Sequence, residues 1–168
     1  MSEHSSSAMV IDTLPAGSLS AVARKRLLKE LREWVTGDPV PGMSVQQPER
    51  LDLWYVKVVG AEDTIFVGEE YTLRFSFPRE YPIEAPEVVF LQPTPAHQHV
   101  YTNGHICLNV LYDGWSPALT VTSVCLSILS MLSSATEKGI PKDNDAYIRN
   151  SRGRSPKLTR WLFHDDSV

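Results

Sequence analysis

The sequence predicts one α/β domain of the α+β kind, an antiparallel meander with one helix before it and another after it. Three observations carry that expectation. Leu19, Ala23, Leu27, Leu31 and Trp34 recur at near four-residue spacing, as on one face of a helix. Tyr71, Leu73, Phe75 and Phe77 alternate with Thr72, Arg74 and Ser76, as in a strand with one buried face. Val121, Val124, Cys125, Ile128 and Leu132 share a second helical stripe. A chain of 168 residues supplies one substantial core and is short for two.

Taken in order, residues 1–17 are small, polar and aperiodic, and are expected as a disordered tail ahead of a domain over 18–150. The first helix has Ser18 or Ser20 for an N-cap and Gly37-Asp38-Pro39 as a stop. Its outer face carries Arg24, Lys25, Arg26 and Lys29, read either as a solvated face or as a docking surface for an acidic protein. Residues 39–48 read as a proline-rich connection. Strands are expected over 51–59 and 71–77, with a shorter one near Ile65-Phe66-Val67 before the turn Gly68-Glu69-Glu70. Pro78, Pro82 and Pro86 cannot donate to a ladder, so they make a stiff loop with Ile83 near its tip before a last strand over 87–91.

Residues 92–119 have almost no periodicity, and a stretch of that length inside a compact domain is more often functional than accidental. A second helix over 121–135, capped by Thr120, is apolar on most sides, which makes Cys125 a packed core thiol. Beyond it come a polar loop over 138–145, one helical turn over 146–149, and a mobile tail over 151–168 whose Trp161-Leu162-Phe163 precedes His164-Asp165-Asp166.

Composition narrows the function. A net charge of −4 argues against nucleic acid as a partner, because a basic face supplies most of that affinity. No apolar run approaches the length of a membrane span, and no basic segment followed by an apolar block opens the chain, so cytoplasm or nucleus is expected. Two cysteines, Cys107 and Cys125, do not make a disulfide scaffold, and both are expected reduced.

Chemistry concentrates around Thr102-Asn103-Gly104-His105-Ile106-Cys107-Leu108, with His97 and His99 upstream and Trp115-Ser116-Pro117-Ala118-Leu119 downstream. Cys107 reads as a nucleophile, since a tight Asn-Gly turn leaves room beside exposed main chain. The sequence permits its exposure without requiring it. A metal site from His97, His99, His105 and Cys107 has suitable ligand types, but the spacings match no common zinc module and no metal is expected. A cysteine protease would need a base held against the thiol, and the histidines two and eight residues away do not form that arrangement.

The ordered set Tyr81-Pro82 with Pro86, His97, Asn103-Gly104 with Ile106-Cys107-Leu108, and Trp115-Ser116-Pro117-Ala118-Leu119 resembles the catalytic domain of ubiquitin-conjugating enzymes over roughly residues 19–134. The resemblance implies the family fold: an N-terminal helix, a four-stranded antiparallel meander, an active-site loop, a central helix and here a short irregular C-terminus. It also implies that Cys107 accepts ubiquitin as a thioester from an activating enzyme and passes it to an amine. No cofactor would be bound, ATP being consumed upstream by the activating enzyme.

One departure is informative. Where the family has His-Pro-Asn, this chain has His97-Gln98-His99. The histidine at the third place is similar to the W-type branch, which modifies protein N-termini instead of lysines. Gln98 departs even from that branch, which has proline there. The resemblance further implies amine orientation by Asp143 and loop support from His97 and Asn103, and His99 is read either as serving the oxyanion or the proton of the attacking amine or as only bracing the loop. It places activating-enzyme docking at Arg24, Lys25 and Lys29, and docking of RING or U-box ligases at Ile83, Ser116, Pro117 and Ala118. Substrate proteins would present flexible N-termini. Lysine-directed conjugation, or an inactive ubiquitin-binding variant, are the alternatives.

Overall fold

The structure is a computed structural model and describes residues 11–159. The first ten residues of the expected N-terminal tail, and the Trp161 to Asp166 stretch of the C-terminal one, lie outside the described residues.

Helix α1 spans Ala21–Thr36, opened by the Ser20 hydroxyl accepting from the Ala23 amide at 3.1 Å and ended at Gly37. It buries Ala23, Leu27, Leu31 and Trp34 of the predicted stripe, and with them Leu28 and Glu30, while Leu19 lies before its start. Four antiparallel strands follow in sheet order: β1 (Met43–Val45), β2 (Leu53–Val59), β3 (Glu70–Ser76) and β4 (Glu87–Phe90). Cross-strand rows Trp54–Phe75–Val88 and Val56–Leu73–Phe90 put the large residues of alternate positions on one face. That face joins the core with α1 and with α2 (Val121–Ser134). Helix α2 starts at a reciprocal capping box in which Thr120 and Ser123 exchange side-chain and backbone hydrogen bonds. Cys125 is fully buried on it.

Two strand expectations need correction. Residues 39–48 are not all connection, because Met43–Val45 pairs with Val56, Lys57 and Val58 as β1. The strand expected at Ile65-Phe66-Val67 is a run of turns, closed by Thr64 N–H to Ala61 O and Val67 N–H to Thr64 O. Its base is pinched by Gly60, where a Cβ would sit 1.8 Å from the Phe66 carbonyl oxygen. Phe66 plugs the core from this loop.

Past α2 the helical turn expected over 146–149 is a full helix, α3 (Asn144–Ser151), followed by a 3-10 turn at Pro156–Leu158. Residues 151–159, expected at the start of a mobile tail, are tied to the sheet end. The Ser155 hydroxyl donates to Glu87 at 2.6 Å and Lys157 Nζ to the Ala85 carbonyl at 2.7 Å. Residues 11–17 are likewise held, with Ile11 buried and the Leu51 amide donating to the Pro15 carbonyl at 2.9 Å. Among the described residues, no helix is long and apolar enough to cross a membrane.

Candidate active site

The aperiodic stretch after β4 folds back on itself as a small hairpin. Val100 and Ile106 form an antiparallel bridge, His105 bridges to Val89, and the Cys107 amide donates to the His99 carbonyl at 2.8 Å. The turn between the arms is Tyr101 to Gly104, closed by Gly104 N–H to Tyr101 O. Gly104 has φ +94, and a Cβ there would lie 2.0 Å from the Phe90 carbonyl oxygen, so only glycine fits. Asn103 supports the turn by accepting from the His105 amide at 3.1 Å and reaching Ser151 at 3.4 Å. The backbone ladder thus sets Cys107 directly across from His99.

Cys107 is half-buried, and its thiol is pushed up to about 11, first by burial and then by the charge of Asp143. It opens on a groove of about 880 Å³ between the hairpin and the outer face of α2, whose walls include His99, Gln98, Leu126, Ser127 and Ser130. Within the hairpin His97 is buried, its Nδ1 accepting from the His99 amide at 2.9 Å. That leaves the proton on Nε2, which donates to the Met131 carbonyl at 2.9 Å. Burial and then the neighbouring His99 hold His97 below its ordinary range in spite of the Met131 contact, so it is a neutral brace between hairpin and α2. The rings of His97 and His99 are 5.6 Å apart between centroids. Gln98 reaches across to Glu137 at 3.4 Å, tying the hairpin to the loop after α2.

The opposite side of the hairpin meets α3. Asp143, at the head of α3, accepts from the Tyr101 hydroxyl with both oxygens at 3.1 Å. Tyr101 stacks on Tyr147 at 3.8 Å between centroids, and Asn144 exchanges two hydrogen bonds with Thr102. Thr159 spends its hydroxyl proton on the Pro156 carbonyl, so it accepts from Tyr147 at 3.0 Å. Tyr147 in turn accepts from His105 Nδ1 at 2.8 Å. His105 therefore faces α3 while His97 faces α2, and the four metal-type side chains of this stretch do not converge. Among the described residues no group of three or more histidine, cysteine, aspartate or glutamate side chains is placed to hold a metal ion.

The expected partner surfaces sit elsewhere. Arg24, Lys25 and Lys29 lie on the exposed side of α1, where Arg24 donates to the Asp12 carbonyl at 3.0 Å. Ile83 is 70% exposed, and Ser116, Pro117 and Ala118 are exposed beside it, Trp115 Nε1 donating to the Pro82 carbonyl at 2.9 Å. What joins these surfaces is a residue that composition hides. Glu30, 3% exposed, accepts from the Tyr81 hydroxyl and the Val121 amide at 2.7 Å each, and from Arg26 at 3.2 Å. Arg26 also donates to the carbonyls of Pro117 and Leu119 at 3.3 and 2.9 Å. Glu30, Tyr101 and Tyr147 were not legible as site residues. A glutamate on an amphipathic helix reads as solvated, and nothing in the spacing of the tyrosines brings residues 101 and 147 together.

The profile described as ubiquitin-conjugating enzyme matches residues 26–161. The chain is 54% identical over 152 residues to ubiquitin-conjugating enzyme 15 of Arabidopsis thaliana, covering 90% of this chain and 94% of that protein. It is 52% identical over 144 residues to the probable ubiquitin-conjugating enzyme E2 W of Dictyostelium discoideum, covering 86% and 96%. A crystal structure of the ubiquitin-conjugating enzyme UbcA1 from Agrocybe aegerita superposes with a TM-score of 0.77 at 38% identity, covering 82% of this chain and all of that one. With this sheet order, this hairpin and these matches, the chain belongs to the ubiquitin-conjugating enzyme family.

Proposed function

We propose that Cys107 takes ubiquitin as a thioester from an activating enzyme and hands it to the N-terminal α-amino group of a substrate protein. Membership of the family implies ubiquitin, an activating enzyme and a ligase as partners. The observation that carries the reading is the half-exposed Cys107 thiol at the mouth of a groove, with His99 held opposite by the Cys107 amide. In loading, the Cys107 sulfur attacks the carbonyl of the incoming thioester and the activating enzyme's thiol leaves. In discharge, the amine nitrogen attacks the carbonyl on Cys107, the carbon–sulfur bond breaks, and the proton lost by nitrogen ends on the sulfur. A thiol pushed up to about 11 takes that proton readily. ATP is consumed upstream, and no cofactor is needed at Cys107.

The amine preference follows from titration. An α-amine loses its proton near ~8 and a lysine near ~10.4, so at neutral pH the nucleophilic fraction of the α-amine is roughly two orders of magnitude larger. A site that does little to deprotonate its acceptor selects chain ends. In this reading His99, whose carbonyl pairs with the Cys107 amide, donates to the oxyanion as the amine attacks, and Asp143 supplies a negative charge that attracts an ammonium. The test is single-turnover discharge of the ubiquitin-loaded protein to a lysine-free peptide and to the same peptide with a blocked N-terminus and one lysine. Discharge to the free N-terminus only is expected, and equal rates would restore the lysine-directed reading.

A further inference from the structure

A second groove, of about 600 Å³, lies on the other side of the hairpin, its walls including Ile83, Glu84, Tyr112, Asp113, Lys157 and Thr159. Its inner end is fastened next to the nucleophile. The Tyr112 hydroxyl donates to the Ile106 carbonyl at 2.8 Å, one residue before Cys107. Thr159 joins the Tyr147–His105 chain at 3.0 Å, on the same side as Asp143. The outer end is Ile83, beside the exposed Ser116-Pro117-Ala118 loop. The groove therefore runs from Tyr112, which is bonded to the Cys107 hairpin, to the corner proposed for ligases.

Its charge leans negative. Glu84 and Asp113 are both exposed, and against them stands Lys157, whose ammonium is drawn down onto the Ala85 carbonyl at 2.7 Å. Two carboxylates against one tethered cation attract a positive strand. An α-amine is a chain end, so an acceptor bound through it leaves the sulfur in one direction only, and a single groove suffices to guide it. A lysine acceptor would send two chain arms away from the sulfur.

Resting on the α-amine reading above, we infer that this groove seats the first few residues of the acceptor polypeptide, favouring an extended, basic N-terminal segment. The occupant is extended because a cleft of about 600 Å³ takes a few residues of single chain and not a folded element. It is basic because the walls are acidic and the reacting end is itself an ammonium.

The test uses the full chain loaded with ubiquitin and two unstructured, lysine-free peptides that share a first residue but carry arginine or glutamate at the third to sixth places. The thioester is quantified before each discharge, so rates are per loaded protein. The arginine peptide is expected to discharge about fivefold faster at low ionic strength, the ratio shrinking as salt rises, because exposed charges are screened. In the double variant Glu84→Lys and Asp113→Lys the ratio should fall below one. A ratio near one, or a ratio the double variant leaves unmoved, overturns the inference. A ratio that departs from one only when a ligase is added assigns the groove to the ligase and overturns it equally. A dipeptide amide, too short to fill the groove, separates the two levels. If wild type discharges to the dipeptide amide yet ignores peptide charge, only the groove is wrong. Failure with every α-amine removes the N-terminal reading and takes the groove assignment with it.

Discussion

The corner formed by Ile83 and Ser116-Pro117-Ala118 and the hairpin that carries Cys107 are held by opposite means. At the corner the frame is made of side chains: Glu30, Arg26, Tyr81 and Trp115 knit α1, the proline loop and the start of α2 into one buried, charged network. In the hairpin the frame at Cys107 itself is main chain, with bridges at Val89 and Val100 and the amide bond from Cys107 to His99, while His97, Tyr101 and His105 fasten its outer sides to α2 and α3. The contrast is what the two proposed roles require. A docking surface can spend its inner side chains on rigidity and offer only loop tips. A cysteine proposed as nucleophile must keep its own sulfur available, so its place comes from backbone pairing. The corner accepts a cost for this: burial pushes the Glu30 carboxyl up in spite of three donors, so desolvation outweighs the hydrogen bonds.

If that division holds, changes in the hairpin should remove chemistry without stability. The largest expected effect is at Cys107: Cys107→Ala abolishes the ubiquitin adduct, and Cys107→Ser converts it to one that survives reductant, read on gels with and without thiol. Stability should move by less than about 1 kcal/mol in urea unfolding, because the side chain is half out of the core. Next, His99→Ala should slow single-turnover discharge to a peptide α-amine by about tenfold to a hundredfold, with loading retained. Undiminished discharge would leave His99 with only its place in the hairpin.

The corner and the hairpin also differ in how far they could be read from sequence. Period 3.6 and period 2 revealed α1, α2, β2 and β3, because each has enough residues to repeat its pattern. Met43–Val45 is too short to alternate and sits among prolines; it is a strand only because Val56, Lys57 and Val58 lie beside it. Ile65-Phe66-Val67 has strand composition, but its loop is closed at Gly60 and leaves no free edge. Helix α3 buries Asn144, Tyr147 and Ser151, a stripe at helical spacing made of polar and amphipathic residues, which hydrophobicity does not mark. In the site, Cys107 stood out through its turn and its neighbours. The Glu30 network did not, since it joins residues 51 and 91 positions apart through long-range contacts that no local pattern records.

At the corner the opposite outcome is expected: stability lost. Glu30→Ala strands the Tyr81 hydroxyl, the Val121 amide and the Arg26 guanidinium together and should cost about 3 kcal/mol, while Glu30→Gln, which keeps one acceptor, should cost about 1–2 kcal/mol. The pH dependence has a definite sign. The folded carboxyl titrates above its ordinary 4.5, so its favourable contribution is complete below that value and is lost as pH rises through the folded value. Urea unfolding from pH 7 down to pH 4 should therefore show wild type gaining on Glu30→Gln. A gap between the two that stays constant with pH would mean the carboxylate is better solvated than its burial implies.

The smallest effect is also the one that best separates the two carboxylates, because Asp143 acts through charge and Glu30 through contacts. Burial raises the Cys107 thiol first and Asp143 adds to it. Asp143→Asn removes the second cause and keeps the first, so the thiol should titrate below about 11 but still above an ordinary cysteine near ~8.5. Alkylation by iodoacetamide at pH 8, which follows the thiolate fraction, should quicken by about threefold to tenfold. Tyr101→Phe removes the hydroxyl that donates to Asp143 and leaves the charge in place, so it should not accelerate alkylation. The same Asp143→Asn change should slow discharge to an α-amine, since the charge that discourages a thiolate is the one that draws an ammonium. Faster alkylation with slower discharge is the signature of a carboxylate placed for the acceptor. If both rates rise together, Asp143 restrains the thiol and does nothing for the amine.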